Sequence, residues 1–471
     1  MTEVQDGLPT PRRYFSIIAI ALAITMAVLD GAIVNVALPQ ITRELGAGSV
    51  GAIWIINAYQ LAIAVCLLPL AALGEIIGYR LIYLAGLLIF TLGSLGCALS
   101  HDLVSLVAAR VFQGLGAAGI MSMNGALVRF TYPSGMLGRA TGINAMVVSA
   151  AAAAGPAAAS AILSVARWEW LFAVNVPIGV FTFALAALVL PRAPRYPKRF
   201  DWISATLNAL GIGLLILGAE GYAHGQNAWA SIGEIAGALA SLAVLAAREL
   251  PRPRPLVPFD LLRIPIFRLS VLASVTSFTA QMLAYVSIPF EFEVALGRSA
   301  VETGLLMTPW PLATGAAAFI AGRLSDRLPA AILGGAGLAL FGVGLLALGF
   351  MPRHAGDAEV VWRMALCGTG FGLFQAPNNR TMLAAAPRER SGAAGGMLAT
   401  ARLIGQSAGA TGVALLFHFV PSTATRNCVF VAAGFAAAGA VISLTRLRAT
   451  ASALIQGSAP SIARGLRREG R

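Results

Sequence analysis

The sequence predicts an all-α polytopic membrane protein with fourteen transmembrane helices grouped as six, two and six. Three observations carry this. Hydrophobic residues make up 58% of the 471 residues and charged residues only 11%, too little charge to cover the surface of two or three soluble domains. The apolar residues fall in stretches long enough to cross a bilayer, which takes about 20 residues at 1.5 Å each. Basic residues then concentrate on alternate connections between those stretches, as orientation in a membrane requires.

The stretches lie at roughly 15–38, 51–73, 81–99, 103–127, 140–164, 170–190, 202–220, 229–247, 270–290, 303–321, 330–350, 360–377, 394–417 and 428–445. The Pro- and Arg-rich break "PRAPRYPKRFD" (191–201) follows the sixth, and "RELPRPRPLVPFDLLR" (248–263) follows the eighth. The expected organisation is therefore a first six-helix bundle (1–199), a two-helix insertion (200–262), a second six-helix bundle (263–449) and a basic tail (450–471). The first stretch is longer than the apolar core of a signal peptide and ends in Ala-Leu-Pro, so it is read as a retained helix.

Most of the 33 Lys and Arg fall in the N-terminus, the even-to-odd connections and the tail. Arg43, Arg167, Arg298, Arg353, Arg363 and Arg426 fall on the other side, and Arg110 and Arg402 within spans. By the positive-inside rule both termini are expected in the cytoplasm of an inner (plasma) membrane protein. The same loops, facing anionic lipid, account for the net charge of +13 without a nucleic-acid partner. Cys66, Cys97, Cys367 and Cys428 are far apart with no metal-ligand spacing and read as packing residues. No metal or other cofactor is expected. A phosphate-binding G-x-x-x-x-G-K-[ST] loop is absent, and Lys198 is the only lysine, so direct use of ATP is unsupported.

The two sixes repeat one another. After span two comes "LGEIIGYR" (73–80) and after span ten "LSDRLP" (324–329), each with an acid two residues past a leucine, Glu75 and Asp326. Gly114, Gly116 and Asn124 of span four recur at the same offsets as Gly368, Gly370 and Asn378 of span twelve. Arg139 with Met146 in span five matches Arg390 with Met397 in span thirteen. Matches in register, in corresponding spans, point to internal duplication.

"LDGAIVNVALP" (29–39), "WIINAYQLAIA" (54–64), "ARVFQGLGAAG" (109–119), "AGPAA" (154–158), "WEWLFAVNVPIG" (168–179), "GRLSDR" (322–327) and "GFGLFQAPNNR" (370–380) occur in this order. Together they resemble the fourteen-span drug:proton antiporters of the major facilitator superfamily. The resemblance implies the major facilitator fold, a proton-coupled multidrug efflux activity and no enzymatic chemistry. The sequence departs from that pattern at Glu75-Ile76, where Asp-Arg is usual, at Ala159-Ser160 after the Gly-Pro, where Gly-Gly is usual, and at Glu169, where Arg is common.

Asp30 is an acid in the middle of an apolar span. Ionised against lipid it would cost at least ~2.5–3.5 kcal/mol, so it must face the bundle interior. There it is either a permanently protonated helix-bridging group or a site that exchanges a proton for a cationic substrate, since burial penalises the charged form. Arg110 in span four can snorkel outward, pair with Asp30, or hold neighbouring polar groups. The resemblance associates this arginine with proton transfer. Its repeat counterpart is Met364, so the first half is expected to hold the coupling machinery.

Glu75 and Arg80, with Arg323, Asp326 and Arg327 in the second half, are expected to form cytoplasmic latches that favour one packing of the two bundles, by capping a helix N-terminus or pairing across the halves. Gly155-Pro156 is expected to bend span five and admit a close neighbour; the resemblance associates it with closing a proton leak. Glu291 and Glu293 at the outer end of span nine are expected near the cavity mouth. Gln113, Asn124, Tyr285, Trp310, Gln375 and Asn378 are candidate wall residues. Arg402 has no role in this reading.

The expected function is thus a proton-driven antiporter that exports amphipathic and, by the argument from Asp30, cationic compounds by alternating access. Its expected partners are a small-molecule substrate, protons and the bilayer, and it is expected to work as a monomer. A uniporter or metabolite exporter of the same fold would not need Asp30 to titrate.

Overall fold

The computed structural model describes residues 6–46, 49–196, 199–223, 228–252, 255–292, 296–298, 300–352, 355–420 and 423–455. These residues are almost wholly helical. The first half comprises α1 (Arg12–Glu44), α2 (Ser49–Ile77), α3 (Tyr79–Ala98), α4 (Leu103–Thr131), α5 (Leu137–Leu163), the short α6 (Trp170–Ala173) and α7 (Asn175–Val189). Next come α8 (Trp202–Ala223), α9 (Ala228–Glu249) and the one-turn α10 (Phe259–Leu262). The second half comprises α11 (Pro265–Phe290), α12 (Ala300–Met307), α13 (Pro309–Leu324), α14 (Ala330–Gly349), α15 (Asp357–Ala385), α16 (Ser391–Phe419) and α17 (Ala424–Ile455).

The helix ends follow from local chemistry. Asp102 caps α4, its Oδ1 accepting the Ser105 amide at 2.9 Å. A single residue, Gly78 at φ 112°, separates α2 from α3, a conformation that side chains resist. Both halves make the same turn on one side of the bundle. Tyr132-Pro133 stops α4 and Ala386-Pro387 stops α15, because the residue before proline is pushed to extended backbone. One 3-10 turn then leads into α5 in one half and α16 in the other.

The duplication extends to atomic packing. A Cβ on Gly116 would meet the Phe90 amide nitrogen at 2.3 Å and the Gly86 carbonyl at 2.6 Å; a Cβ on Gly370 would meet the Phe341 amide nitrogen at 2.3 Å and the Gly337 carbonyl at 2.7 Å. In each half the helix pair thus touches backbone to backbone, as small residues permit in membranes.

Each half has its own apolar core. In the first, Leu67, Tyr83, Leu87, Phe90 and Ile120 pack together; in the second, Trp310, Phe341 and Phe371 stack edge to face at 5.5 and 5.7 Å. The halves meet along α5 against α13 and along α16 against α2 and α4, with Ala145, Ala318 and Ala376 keeping the seam thin. The α8–α9 pair rests on α2, where Asn208 donates to the Val65 carbonyl at 3.2 Å. Leu92, Val104, Phe181, Leu188, Leu239 and Val441 point outward, an apolar surface suited to lipid rather than water.

Ten of these helices are long and apolar enough to cross a membrane, or eleven if the bent α5 is one span, fewer than the fourteen predicted. The shortfall has a physical cause. α15 and α16 are each 29 residues long, but α15 carries Asp357, Glu359, Arg363, Asn378, Asn379 and Arg380, and α16 is rich in Gly, Ala and Ser. α8 (Trp202–Ala223) is apolar over the part whose side chains are described, Trp202–Gly218.

Candidate functional site

The helices of the first half converge on one buried pair. Asp30 of α1 and Arg110 of α4 are 2% and 1% exposed, with Arg110 Nη1 2.5 Å from Asp30 Oδ2. The other carboxylate oxygen accepts from Gln113 Nε2 of α4 at 2.8 Å and from Asn175 Nδ2 of α7 at 3.1 Å. Arg110 also donates to the Ile55 carbonyl of α2 at 2.9 Å and lies over the Tyr59 ring, 4.1 Å from its centroid. Gln113 donates in addition to Ser94 of α3 at 2.8 Å. Close by, α5 is let in at Gly155, where a Cβ would sit 2.4 Å from that of Ala32. α5 bends by 46° between Ser134–Gly155 and Ala157–Leu163, and the Pro156 between them has no amide hydrogen to give its helix.

A buried ion pair persists only when the remaining hydrogen-bonding capacity is met, and here amides and a backbone carbonyl meet it. Loss of the negative charge at Asp30 would leave a guanidinium deep in the bundle without its counter-charge.

Latches join the two halves at the end of the molecule where the Pro-initiated turns lie. Glu75, in the last turn of α2, accepts from Arg390 Nη1 at 2.7 Å and from the Ala393 amide at 2.9 Å. Asp326, in the turn after α13, accepts the amides of Gly138 and Arg139 at 2.9 and 3.1 Å. Each acid thus sits at the N-terminus of a helix in the other half, α16 for Glu75 and α5 for Asp326, where the helix dipole favours negative charge. Arg129 of α4 reaches the Ala386 carbonyl at 2.9 Å and Ser391 Oγ at 3.0 Å. Asp6 holds Ser134 and Arg388 together. Partial burial works against its charge, but these hydrogen bonds and the Arg388 charge keep its carboxyl below the usual range. At the opposite end, the ion pairs among the described residues stay within one half: Arg167 with Glu44 and Glu169, Arg298 with Asp357, and Arg363 with Glu359.

Between the halves lies a cavity of about 70 Å³, walled by α1, α4 and α5 on one side and α11, α15 and α16 on the other. Its polar wall is Asn124, Thr141, Asn144, Gln375, Asn379 and Arg402. Residues 20–410 match the Major Facilitator Superfamily. The chain belongs to that superfamily. It is 50% identical to the uncharacterized transporter YebQ of Escherichia coli (strain K12), over 95% of this chain and 98% of that one. It is 31% identical to the multidrug resistance protein Stp of Mycobacterium tuberculosis (strain CDC 1551 / Oshkosh), over 84% of this chain and 74% of that one. Its fold resembles the human organic anion transporter MFSD10, with a TM-score of 0.67 and 14% identity, over 93% of this chain and all of that one; at that identity the likeness concerns the fold alone.

As a major facilitator transporter rather than an enzyme, the chain places the residues singled out in its sequence unevenly. Asp30, Arg110 and Gln113 come together, though Gln113 belongs to the ion-pair network and not to the cavity wall. Asn124 and Gln375 line the cavity. Trp310 is buried in the second core, with Tyr285 edge-on to it at 6.0 Å. Glu291 ends α11, half-buried and away from the cavity lining. Glu293 lies outside the described residues, as does the side chain of Pro156.

Of the gate residues, Glu75 and Asp326 bridge the halves, but Arg80 donates within its own half to the Ala187 carbonyl at the end of α7. Arg323 stacks on Phe319 of its own helix, 3.6 Å from the ring centroid, and Arg327 is exposed. The cation beside Asp326 is Arg380, at 3.3 Å, and the one beside Glu75 is Arg390. The acids also sit differently: the sequence puts Glu75 in a loop, whereas α2 continues to Ile77 and carries it as helix.

The sequence ends the last span at 445, which leaves Arg446 just beyond it. α17 runs on past it, and Arg446 is 2% exposed, donating to Asn378 Oδ1 at 2.7 Å and Ser270 Oγ at 3.0 Å. Asn378 is therefore a hub of the second core, while its repeat partner Asn124 faces the cavity. The serines of α11, Ser270 and Ser274, were the sequence signal for such a hub.

Proposed function

We propose that the chain is a proton-coupled efflux antiporter for amphipathic organic compounds, a multidrug exporter of the inner (plasma) membrane. It works as a monomer by alternating access. In this reading it has fourteen spans and cytoplasmic termini, organised as bundles 1–199 and 263–449 around the insertion 200–262 and followed by the tail 450–471. The α6–α7 and α12–α13 pairs each make one of the ten apolar crossings, and the bent α5, α8, α15 and α16 supply the four that apolarity alone leaves out. With the latched end cytoplasmic, the structure is closed inward.

The observation that carries the proposal is the Asp30–Arg110 pair, buried where the first-half helices converge. A proton arriving at Asp30 from outside cancels the charge that holds Arg110, and α1 and α4 repack toward the inward-open state. There the proton is released and substrate enters the cavity. Each entering proton contributes about 2.3 kcal/mol per 100 mV of membrane potential. The multidrug-resistance name of the relative at 31% identity supports export of drug-like compounds. The cationic guest expected from Asp30 has less support, because Asp30 is engaged in its own network and the cavity wall does not include it.

The test is uptake of amphipathic dyes into inverted membrane vesicles driven by a pH gradient. Wild type is expected to accumulate dye, and Asp30→Asn to lose at least ten-fold of that uptake while still equilibrating dye down its own gradient. Undiminished gradient-driven uptake in Asp30→Asn would instead favour a uniporter or exporter not coupled through Asp30.

A further inference from the structure

The described interior arginines divide into those with partners and one without. Arg110 is paired with Asp30, Arg390 with Glu75 and Asp260, Arg380 with Asp326, and Arg446 with Asn378 and Ser270. Arg129 is held by carbonyls of the other half. Arg402, half-buried on the cavity wall, has no hydrogen bond or ion pair among the described residues. Nor does it lie where it could reach bulk water along its helix, since it is eleven residues past Ser391 in α16, ~16 Å from that end. Among the described residues the cavity lining contains no carboxylate.

Two further wall atoms lack partners among the described residues: Asn124 Oδ1 and Gln375 Oε1 are buried and accept nothing there. Around them Phe278, Met121 and Leu398 supply apolar surface, and Phe278 is itself fixed edge-on to Phe371 at 5.3 Å. A planar guanidinium with free N–H groups matches a carboxylate or another oxyanion, and free carbonyl oxygens match hydroxyl or N–H donors. Removing a lone guanidinium from water is unfavourable unless an anion replaces that water.

We infer that the central cavity selects an amphipathic organic anion, with Arg402 as its counter-charge and the amides of Asn124 and Gln375 accepting from its donor groups. This rests on the transport reading for its purpose but concerns binding, so it is tested by binding alone. The full chain, purified into nanodiscs, is titrated with fluorescein, an aromatic anion, and with its cationic rhodamine analogue on the same ring frame, following fluorescence polarisation.

Fluorescein is expected to bind at least ten-fold more tightly than the rhodamine. Arg402→Gln should weaken fluorescein at least ten-fold and leave the rhodamine unchanged or tighter. Arg402→Lys, which keeps the charge but not the fork, should fall between. Tighter binding of the rhodamine by wild type, no specific fluorescein binding, or fluorescein binding indifferent to Arg402→Gln would each overturn the inference. Gel-filtration profiles matching wild type show that the variants are folded. If fluorescein binds as expected but a pH gradient fails to drive it, the coupling reading fails and the binding inference stands.

Discussion

Glu75 and Arg390 are 315 residues apart in the chain and 2.7 Å apart in space, and the bond between them ties the last turn of α2 to the threshold of α16. Burial works against the Arg390 charge, but Glu75 and Asp260 outweigh it and hold the guanidinium above its usual range. Breaking one side of a buried ion pair costs about 3–5 kcal/mol. Glu75→Gln should therefore shift the population away from the latched state. Electron–electron resonance distances between spin labels on Gly135 and Arg327, both exposed, should gain a longer component that is minor in wild type.

Asp326→Asn should act in the same direction but more weakly. Asp326 is half-buried, its main partners are two backbone amides, and an asparagine oxygen can keep one of them. A shift of about 1 kcal/mol is the scale of one lost helix-cap bond. The same spin-label pair would read a smaller long-distance fraction than in Glu75→Gln, and a larger one would show that the two latches are unequal in the other sense.

The buried pair of the first half makes a stability prediction independent of transport. Arg110→Gln leaves Asp30 without its cation and should lower the melting temperature of the purified protein markedly, by the same ~3–5 kcal/mol scale. Asp30→Asn combined with Arg110→Gln removes both charges and should recover a substantial part of that loss. Additive losses in the double variant would mean that the two side chains are not energetically coupled.

The repeat can be tested by matched alanines. Gly116→Ala and Gly370→Ala each press a methyl onto backbone atoms at 2.3 Å, which cannot swing aside as a side chain can. Each should destabilise by about 1–3 kcal/mol, the range for overpacking, and by similar amounts. Gly135→Ala, with open space around its Cβ, is the control and should leave the melting temperature unchanged.

Much of this was legible in the sequence because a bilayer imposes long apolar runs and punishes charges placed within them. Asp30 and Arg110 stood out for that reason, and Glu75 and Asp326 stood out by recurring in matching places. What the sequence did not show was rotation about helix axes. Gln113 and Asn378 are as polar as Asn124 and Gln375, yet the first two point into helix seams and the second two into the cavity. Nor did it show where the last apolar run stops being membrane-embedded, so the predicted span ends at 445, one residue short of Arg446, although its helix carries that residue into the core. The cations of the latches were misread because charged neighbours in sequence, Arg323 and Arg327, drew attention from Arg380, which reaches Asp326 from another helix. Arg402 was visible as a charge within a span, but its meaning depends on six helices arriving around it.

Arg390 is gripped on its other side by both oxygens of Asp260, at 2.8 and 2.9 Å, and by the Pro255 carbonyl. The strap that leads out of the α8–α9 pair is thus fastened to the same bolt as the two halves. Freeing that bolt frees the strap, and a pull on the strap strains the bolt. A helix pair that looks like a passive spacer is thus joined, through the Asp260–Arg390 ion pair, to the residue that also bridges the two halves.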